Sequence, residues 1–372
     1  MVRVLVAEDS RTVRELITAI LRADPEIRIA GEAKNGAEAL AMTKSLRPDV
    51  VTMDINMPMM DGFEATKRIM IEVPTPIIIV SGSLDVREVE VSMQALRLGA
   101  LALVAKPVGP GSPEFDEASR QLVWTVKAMA EVRVVHHWPV RTAAGSRPEA
   151  GKPPTAPTKT RAVAVAASTG GPAALAHLLS RLPADFPVPI LVVQHMTKGF
   201  VHGLVAWLNT LCGPRVKVAE DGERLLPSVV YVAGDDGHLG VASSTHIAVS
   251  RESPMDGHRP SASHLFASVG RAFGASATAI VLTGMGRDGV AGLDAVRNAG
   301  GRVIVQDAAT SVVFGMPGAV VEAGLADAIL SLSAIGDYLI ALAEAPPANT
   351  RNQETRWSES SSSKTAPPRP SG

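Results

Sequence analysis

Apolar positions follow two patterns over the first third of the chain. Short continuous apolar runs are separated by segments with helical spacing, as at Val13, Ile17 and Ile20. Continuous apolar strands that alternate with helices indicate a parallel sheet covered on both faces. The predicted strands are Val2–Ala7, Ile27–Glu32, Val50–Asp54, Pro76–Ser81 and Ala100–Ala105.

A second block with the same rhythm occupies residues 161–345. Its predicted strands are Ala162–Ala167, Pro189–Gln194, Val229–Val232, Ala277–Thr283 and Arg302–Gln306. A hairpin is predicted over His238–Arg251, turning at Ser243 and Ser244. The pattern favours another doubly wound α/β domain of hydrolase type, with a mostly parallel sheet and a partly antiparallel edge.

The remaining segments divide the chain. The first domain is predicted over residues 1–125 and the second over 161–345. Residues 126–160 are predicted to be a linker, because 136–160 is rich in Pro, Thr and Ala and lacks an apolar period. Residues 346–372 are expected to be a disordered tail.

Composition narrows the class of protein. A length of 372 residues suits two domains, and 46% apolar residues suffice for two cores. The net charge of −1 argues against a nucleic-acid binder. A single cysteine, Cys212, excludes an internal disulfide and fits a reducing compartment. No apolar run approaches the ~18 residues of a membrane helix, so a cytoplasmic protein without membrane insertion is expected.

Acidic, hydroxyl and basic residues follow the strands of the first block. Glu8 and Asp9 follow the first strand, Asp54 the third, Ser81 the fourth and Lys106 the fifth. Chemistry in an open parallel sheet lies at these carboxyl ends. Each residue alone would be a helix cap or a solvated charge. Together, three carboxylates favour Mg²⁺, and Asp54 between them is the natural acceptor of a phosphoryl group.

The stretches VAEDS, DVVTMDINMPMMDG, SGS and KP resemble the response-regulator receiver family over roughly residues 1–125. The resemblance implies a flavodoxin-like fold with a five-stranded parallel sheet. It also implies phosphorylation of Asp54 by a sensor histidine kinase, with Ser81 and Lys106 contacting the phosphate. The Mg²⁺ ligands it implies are Glu8, Asp9, Asp54 and the backbone carbonyl of Asn56. Leu103 departs from the family, which often has an aromatic switch residue three positions before the lysine.

Ser168 follows the first strand of the second block, in AASTGGPAALAHLL. The two glycines allow a tight turn, and Pro172 suits the first turn of a helix. Free N–H groups at such a helix start can stabilise an oxyanion. The residue could equally be a simple helix cap. A phosphate-binding loop is disfavoured, because the spacing and lysine of a P-loop are missing.

Two further residues lie at strand ends of the same block. His195 follows PILVVQ, and Asp288 follows ATAIVLTGMGR. Individually these could be a structural histidine and a cap, but with Ser168 they form the set in which His takes a serine proton and Asp orients the imidazole. The order Ser, His, Asp and the missing G-x-S-x-G elbow indicate an unusual hydrolase scaffold. Cys212 is poorly placed for a nucleophile, and the histidines lack metal-binding spacing.

The stretches ASTGGP, VVQHM, GHRPS, LTGMGRDGVAGL and QDAATSVVFGMP resemble the catalytic domain of chemotaxis protein-glutamate methylesterases, over roughly residues 161–340. The resemblance implies hydrolysis of γ-glutamyl methyl esters on chemoreceptors, and in many members deamidation of receptor glutamines, without a cofactor for the esterase. It implies Ser168 as nucleophile, His195 as base, Asp288 as orienting group and the Met285 N–H as an oxyanion donor. Departures lie at the expected substrate rim, at Gly234, Asp235, Asp236 and His264.

Two alternatives to an esterase are a catalytically silent domain that binds receptors and a DNA-binding output domain. A catalytically silent domain that only binds receptors would not need Ser168, His195 and Asp288 together. A DNA-binding output is disfavoured by the charge and by the absence of a recognition-helix motif. We expect the unphosphorylated receiver to cover the rim around Ser168, and phosphorylation of Asp54 to loosen it.

Overall fold

The computed structural model describes residues 1–82, 95–96, 99–112, 115–132 and 160–344. The first domain has one parallel sheet of five strands in the order β2-β1-β3-β4-β5. The strands are β1 Val2–Ala7, β2 Ile27–Ala33, β3 Val50–Met53, β4 Ile77–Ser81 and β5 Ala102–Ala105. The described helices are α1 Arg11–Arg22, α2 Gly36–Leu46, α3 Gly62–Glu72 and α4 Phe115–Ala130.

This strand order is the flavodoxin-like one, so the predicted fold is confirmed. Strands β3 and β4 are buried along their whole length, as their continuous apolar sequences predict. Side-chain caps define where α1, α2 and α3 begin: Ser10, Asn35 and Asp61 each accept a bond from a backbone N–H three residues on.

Helix α4 continues to Ala130, because Leu122, Val126 and Met129 are buried against the apolar core of the first domain. The domain boundary predicted at residue 125 therefore falls inside this helix. Residues 133–159, which include most of the predicted linker, and residues 345–372, which include the predicted tail, lie outside the described residues.

The second domain contains a seven-stranded sheet in the order β14-β13-β12-β6-β7-β9-β8, with every pair parallel. Its strands are β6 Ala162–Ala167, β7 Ile190–Gln194, β8 Arg215–Val218, β9 Val229–Val232, β12 Ala277–Val281, β13 Arg302–Gln306 and β14 Ala328–Leu330. Its helices are α5 Gly171–Leu179, α6 Val201–Asn209, α7 Ala262–Phe273, α8 Val290–Asn298, α9 Met316–Glu322 and α10 Leu332–Glu344.

The predicted hairpin forms as β10 His238–Ser243 and β11 His246–Ser250, but as a separate two-stranded sheet. The expectation of a partly antiparallel edge was therefore wrong. The hairpin has its own apolar face, including Leu239 and Ile247, which is buried in the cluster that contains α7. Packing against the helix satisfies that face without any pairing to the main sheet.

Alternate residues of the central strands face opposite layers. In β6, Val163 and Val165 belong to a cluster with α5, α6 and α10, whereas Ala162 and Ala164 belong to one with α7, α8 and α9. Helices thus cover both faces, as predicted for a doubly wound domain. This arrangement sets the carboxyl ends of β12, β6 and β7 side by side.

Candidate active site and acidic pocket

Ser168 and His195 occupy equivalent places on neighbouring strands. Ala167 pairs with Gln194 in the register of β6 and β7, and the His195 N–H donates to the Ala167 carbonyl at 2.9 Å. On the other side of β6, the Ser168 N–H donates to the Thr283 carbonyl at 3.1 Å. The structure therefore brings the two predicted residues to one rim.

The chain turns sharply after Ser168 and enters α5. Gly170 adopts a left-handed backbone conformation with φ 75°, which glycine tolerates without steric cost. Gly284, beyond β12, lies directly against the serine, since a Cβ there would come within 2.8 Å of the Ser168 Cβ. Ser168 thus lies at the start of a helix, where N–H groups lack partners within the helix.

His195 and Asp288 form a hydrogen-bonded pair. The distance from His195 Nε2 to Asp288 Oδ2 is 2.9 Å, and Asp288 is only 4% exposed. The carboxylate also accepts bonds from the Ser261 hydroxyl and from the N–H groups of Ala262 and Ser263, at 2.6 to 3.1 Å. Burial alone would raise the pKa of Asp288, but these bonds outweigh it and hold the pKa well below its usual range.

The position of the proton on the His195 ring determines which nitrogen can act as a base. Because an ionised Asp288 can only accept, Nε2 carries the proton and Nδ1 is the basic nitrogen. Nδ1 is buried and has no hydrogen-bond partner among the described residues, Ser168 included. The ring of His258 stacks on that of His195, with centroids 4.3 Å apart and planes 7° from parallel. Burial, together with the neighbouring His195, lowers the pKa of His258 and favours its neutral form.

Met285 follows Gly284 at the same rim. The Gly284 N–H donates to the Val313 carbonyl at 3.0 Å, whereas the Met285 N–H has no acceptor in the described part of the chain. Thr283 anchors this loop, because its hydroxyl donates to the Thr169 carbonyl and accepts from the Val313 N–H, both at 2.9 Å. The geometry can present one free N–H beside Ser168.

The first domain gathers its charged residues at the ends of β1, β3 and β5. Lys106 Nζ lies 2.9 Å from both Glu8 Oε2 and Asp54 Oδ1. Burial raises the pKa of Asp54 and of Glu8, although Lys106 opposes the rise. The Ser81 hydroxyl is buried close by on β4 and has no partner among the described residues. All the predicted receiver residues therefore meet at one edge of the sheet.

The acidic residues of this pocket can hold a metal ion. Glu8, Asp9 and Asp54 each offer a carboxylate oxygen, and these atoms lie within 4.8 Å of one another. The backbone N–H groups of Ile55 and Asn56 already stabilise the Asp54 carboxylate, so this loop follows the carboxylate closely. Hard oxygen donors around one point, with a single lysine as their counter-charge, fit a divalent cation of the Mg²⁺ class.

Both domains match families of known proteins. Residues 163–339 match the model of the CheB methylesterase family, and residues 4–112 match that of the response regulator receiver domain. A protein-glutamate methylesterase/protein-glutamine glutaminase of Myxococcus xanthus is 55% identical over 338 residues, which are 91% of this chain and 96% of that protein. The chain belongs to the protein-glutamate methylesterase/protein-glutamine glutaminase family.

Other family members extend over the same length. One from Anaeromyxobacter dehalogenans is 54% identical over 341 residues, covering 91% of this chain and 98% of its own. The crystal structure of the Thermotoga maritima CheB methylesterase catalytic domain is 38% identical and covers 49% of this chain and 98% of its own, with a TM-score of 0.48. The matched region spans nearly the whole length of both curated relatives.

Several residues at the methylesterase-like rim were not predicted from the sequence as site residues. Ser261 contacts Asp288 and His258 stacks on His195 from a loop that is distant in sequence, and Gln194 is the last residue of β7. The stretches GHRPS and VVQHM, which resemble the family, contain these residues and could have pointed to them. Among the described helices, none is long and apolar enough to cross a bilayer.

Proposed function

We propose that this family member hydrolyses γ-glutamyl methyl esters on chemoreceptors in the cytoplasm, releasing methanol, and that phosphorylation of Asp54 activates it. The observation that carries the proposal is the hydrogen bond between His195 and the buried Asp288, at the rim that also holds Ser168. Deamidation of receptor glutamines uses the same chemistry, with ammonia as the leaving group, and is part of the proposal.

The proposed reaction proceeds through an acyl-enzyme. Ser168 Oγ attacks the ester carbonyl carbon while His195 Nδ1 takes the hydroxyl proton, a step for which the serine hydroxyl must turn towards Nδ1. Asp288 stabilises the resulting imidazolium. The Met285 N–H and the start of α5 offer donors to the tetrahedral oxyanion.

Collapse of the tetrahedral intermediate breaks the bond between the acyl carbon and the methoxy oxygen. His195 returns its proton to that oxygen, and methanol leaves. Water then attacks the acyl-enzyme with His195 again as base, which releases the glutamate carboxylate and restores Ser168. All the groups used are side chains and backbone N–H groups of the chain.

The receiver half of the proposal concerns Asp54. We infer that Glu8, Asp9, Asp54 and the Asn56 carbonyl would hold Mg²⁺, which would supply positive charge beside Asp54, the acceptor of the phosphoryl group from a sensor histidine kinase. Lys106 already contacts Asp54 and can turn to a phosphate oxygen, and the unpartnered Ser81 hydroxyl can donate to another. Leu103, half-buried and packed on the core, takes the place of the aromatic switch residue.

Contact between the two domains supports regulation by occlusion. Met285 and Val313 pack against the apolar receiver cluster that includes Val104, Leu122 and Val126. Met285 is the proposed oxyanion residue, so the receiver lies against the catalytic rim itself. We infer that phosphorylation weakens this contact and admits the receptor.

The decisive test is incubation with candidate receptors, methylated in one set and glutamine-bearing in another, followed by mass spectrometry. Loss of methyl groups is expected with the wild type and not with Ser168→Ala, whose turnover should fall by several orders of magnitude. Retention of more than about a tenth of the activity by Ser168→Ala would remove Ser168 from the mechanism. Failure of a serine-directed phosphonate to label Ser168 would favour a silent receptor-binding domain.

A further inference from the structure

A buried amide joins the two proposed catalytic residues through their backbones. Gln194, the last residue of β7, is 5% exposed. Its Nε2 donates to the Ser168 carbonyl at 2.8 Å and to the His195 carbonyl at 2.8 Å. One side chain thus holds the main chain of both the nucleophile and the base.

The Gln194 bridge lies where the hydrogen bonds between β6 and β7 end, so it can fix a spacing that the sheet itself does not. The pairing of β6 with β7 ends at Ala167 and Gln194, and the His195 N–H makes the last ladder bond. Beyond that point nothing in the ladder sets the spacing between the two chains. The Gln194 amide continues the cross-connection by one residue, where the ladder itself has stopped. The Ser168 carbonyl also accepts from the Gly171 N–H at 2.8 Å, so its direction is set by two donors.

The chemistry of the site calls for an amide of this length. Two carbonyl oxygens face Nε2, and only a group with two N–H donors satisfies both. Glutamate would bring an acceptor against two acceptors, and methionine would fill the space without a bond. The Gln194 Oε1 lies against Gly171, where a Cβ would come within 2.0 Å of it. The glycine that opens α5 therefore makes room for the amide.

We propose that Gln194 is a positioning residue, which sets the relative placement of Ser168 and His195 without touching the substrate. The inference rests on the proposed serine mechanism, since only a nucleophile and a base need a fixed spacing. A misplacement of about 1 Å between reacting groups can cost about a hundredfold in rate.

The test compares Gln194→Met and Gln194→Glu with the wild type in the full-length chain. We expect kcat on methylated receptor to fall by about ten- to a hundredfold, with KM changing less than about twofold. The rate at which a small fluorophosphonate modifies Ser168 should fall in parallel, because that reagent reports the activated serine and makes no use of receptor contacts.

Tyr231→Phe provides the matched control. The Tyr231 hydroxyl, on β9, also bridges two backbone groups, donating to the Arg224 carbonyl and accepting from the Leu226 N–H, both at 3.0 Å, but it bonds neither Ser168 nor His195. Its removal should lower the melting temperature as the Gln194 variants do, while the modification rate of Ser168 stays unchanged.

The outcomes separate this inference from the proposed function. If Gln194→Met kept the wild-type kcat and modification rate, the positioning role would be wrong while the serine mechanism stood. A wild type that neither hydrolyses ester nor reacts at Ser168 would overturn both. Should Gln194→Met and Gln194→Glu unfold, Gly171→Ala leaves Gln194 in place but brings a Cβ within 2.0 Å of its amide oxygen, which displaces the amide and should slow modification of Ser168. An unchanged rate of Ser168 modification in folded Gly171→Ala would refute the positioning role.

Discussion

Asp288 shows how a single side chain can be kept ionised while almost fully buried. Its two oxygens together accept bonds from His195, the Ser261 hydroxyl and the N–H groups of Ala262 and Ser263. Three of these donors come from the first residues of α7 or its cap, where the helix presents positive partial charge. The carboxylate therefore holds the proton of His195 on Nε2 and leaves Nδ1 free as the base.

Replacing this carboxylate tests the assignment at residue scale. In Asp288→Asn an amide N–H would face a donor, and the tautomer of His195 would no longer be specified. We expect kcat to fall by about 10³–10⁴, with a smaller effect on KM. Steady-state hydrolysis of methylated receptor measures this. An Asn variant within tenfold of wild type would show that Asp288 is only a structural group.

Asp54 has the opposite electrostatic character. Burial raises the pKa of Asp54 and, for the same reason, that of the neighbouring Glu8, so ionisation of these two carboxyl groups at neutral pH costs stability. A raised pKa means that stability is full below the ordinary carboxyl pKa and is lost as the pH rises through the folded value.

Asp54→Asn should therefore abolish phosphoryl uptake and also stabilise the receiver. We expect a gain of about 1 kcal/mol at pH 7, because the variant no longer buries an ionised carboxyl group whose pKa is raised. The gain should shrink as the pH is lowered towards about 3, where the wild-type carboxyl is mostly protonated in both the folded and the unfolded state. Urea denaturation at several pH values measures the gain, and labelling with a small acyl phosphate and Mg²⁺ measures the uptake. Stoichiometric labelling of the variant, or a gain that grows on acidification, would contradict this account.

At the scale of elements, the N-terminus of α7 links helix stability to the active site. Ser261 caps the helix by accepting from the Ser263 N–H at 3.1 Å, and the same hydroxyl donates to Asp288 at 2.8 Å. One hydroxyl thus serves the helix as acceptor and the carboxylate as donor.

Ser261→Ala tests the two roles of this hydroxyl, as the helix cap and as a hydrogen-bond donor to Asp288. Loss of the cap should lower the free energy of unfolding by about 1–2 kcal/mol. Turnover should fall far less than in Asp288→Asn, because Asp288 keeps its two N–H donors and His195. Ser261→Thr, which retains the hydroxyl, is the control in chemical denaturation and in the esterase assay. A turnover loss as large as that of Asp288→Asn would mean that Ser261 takes part directly.

At the scale of the whole molecule, the receiver meets the catalytic domain at residues of the rim. Met285 follows β12, and Val313 lies in the loop after β13. Both pack against the apolar receiver cluster that includes Val104, Leu122 and Val126. An equilibrium between closed and open arrangements needs a shift of only ~1–3 kcal/mol to change activity many-fold.

Weakening this contact should mimic phosphorylation. Val313→Ser removes apolar surface from it, and the unphosphorylated variant should be about three- to tenfold more active than wild type. The fragment 161–345 should also exceed the unphosphorylated full chain, and Val313→Ser should change the activity of that fragment little. Equal rates for fragment and full chain on a receptor would argue for recruitment in place of occlusion.

The sequence by itself determined the local features. Continuous apolar runs specify buried parallel strands, so the central strands of both sheets matched their predicted positions within two residues at either end. Parallel strands share one functional edge, which is why Glu8, Asp54, Ser168 and His195 could be selected from their places after predicted strands. These are properties of short segments and need no knowledge of distant neighbours.

The tertiary structure alone decided what depends on contacts between distant segments. Strands β8 and β14 escaped prediction because they are short edge strands whose pairing partner supplies most of their order. The hairpin forms a separate sheet because its apolar face packs against α7. The support of the active site by Ser261, His258 and Gln194 joins loops, a helix and a strand end that no local pattern relates. Backbone hydrogen bonds and close packing between them exist only once the chain has folded.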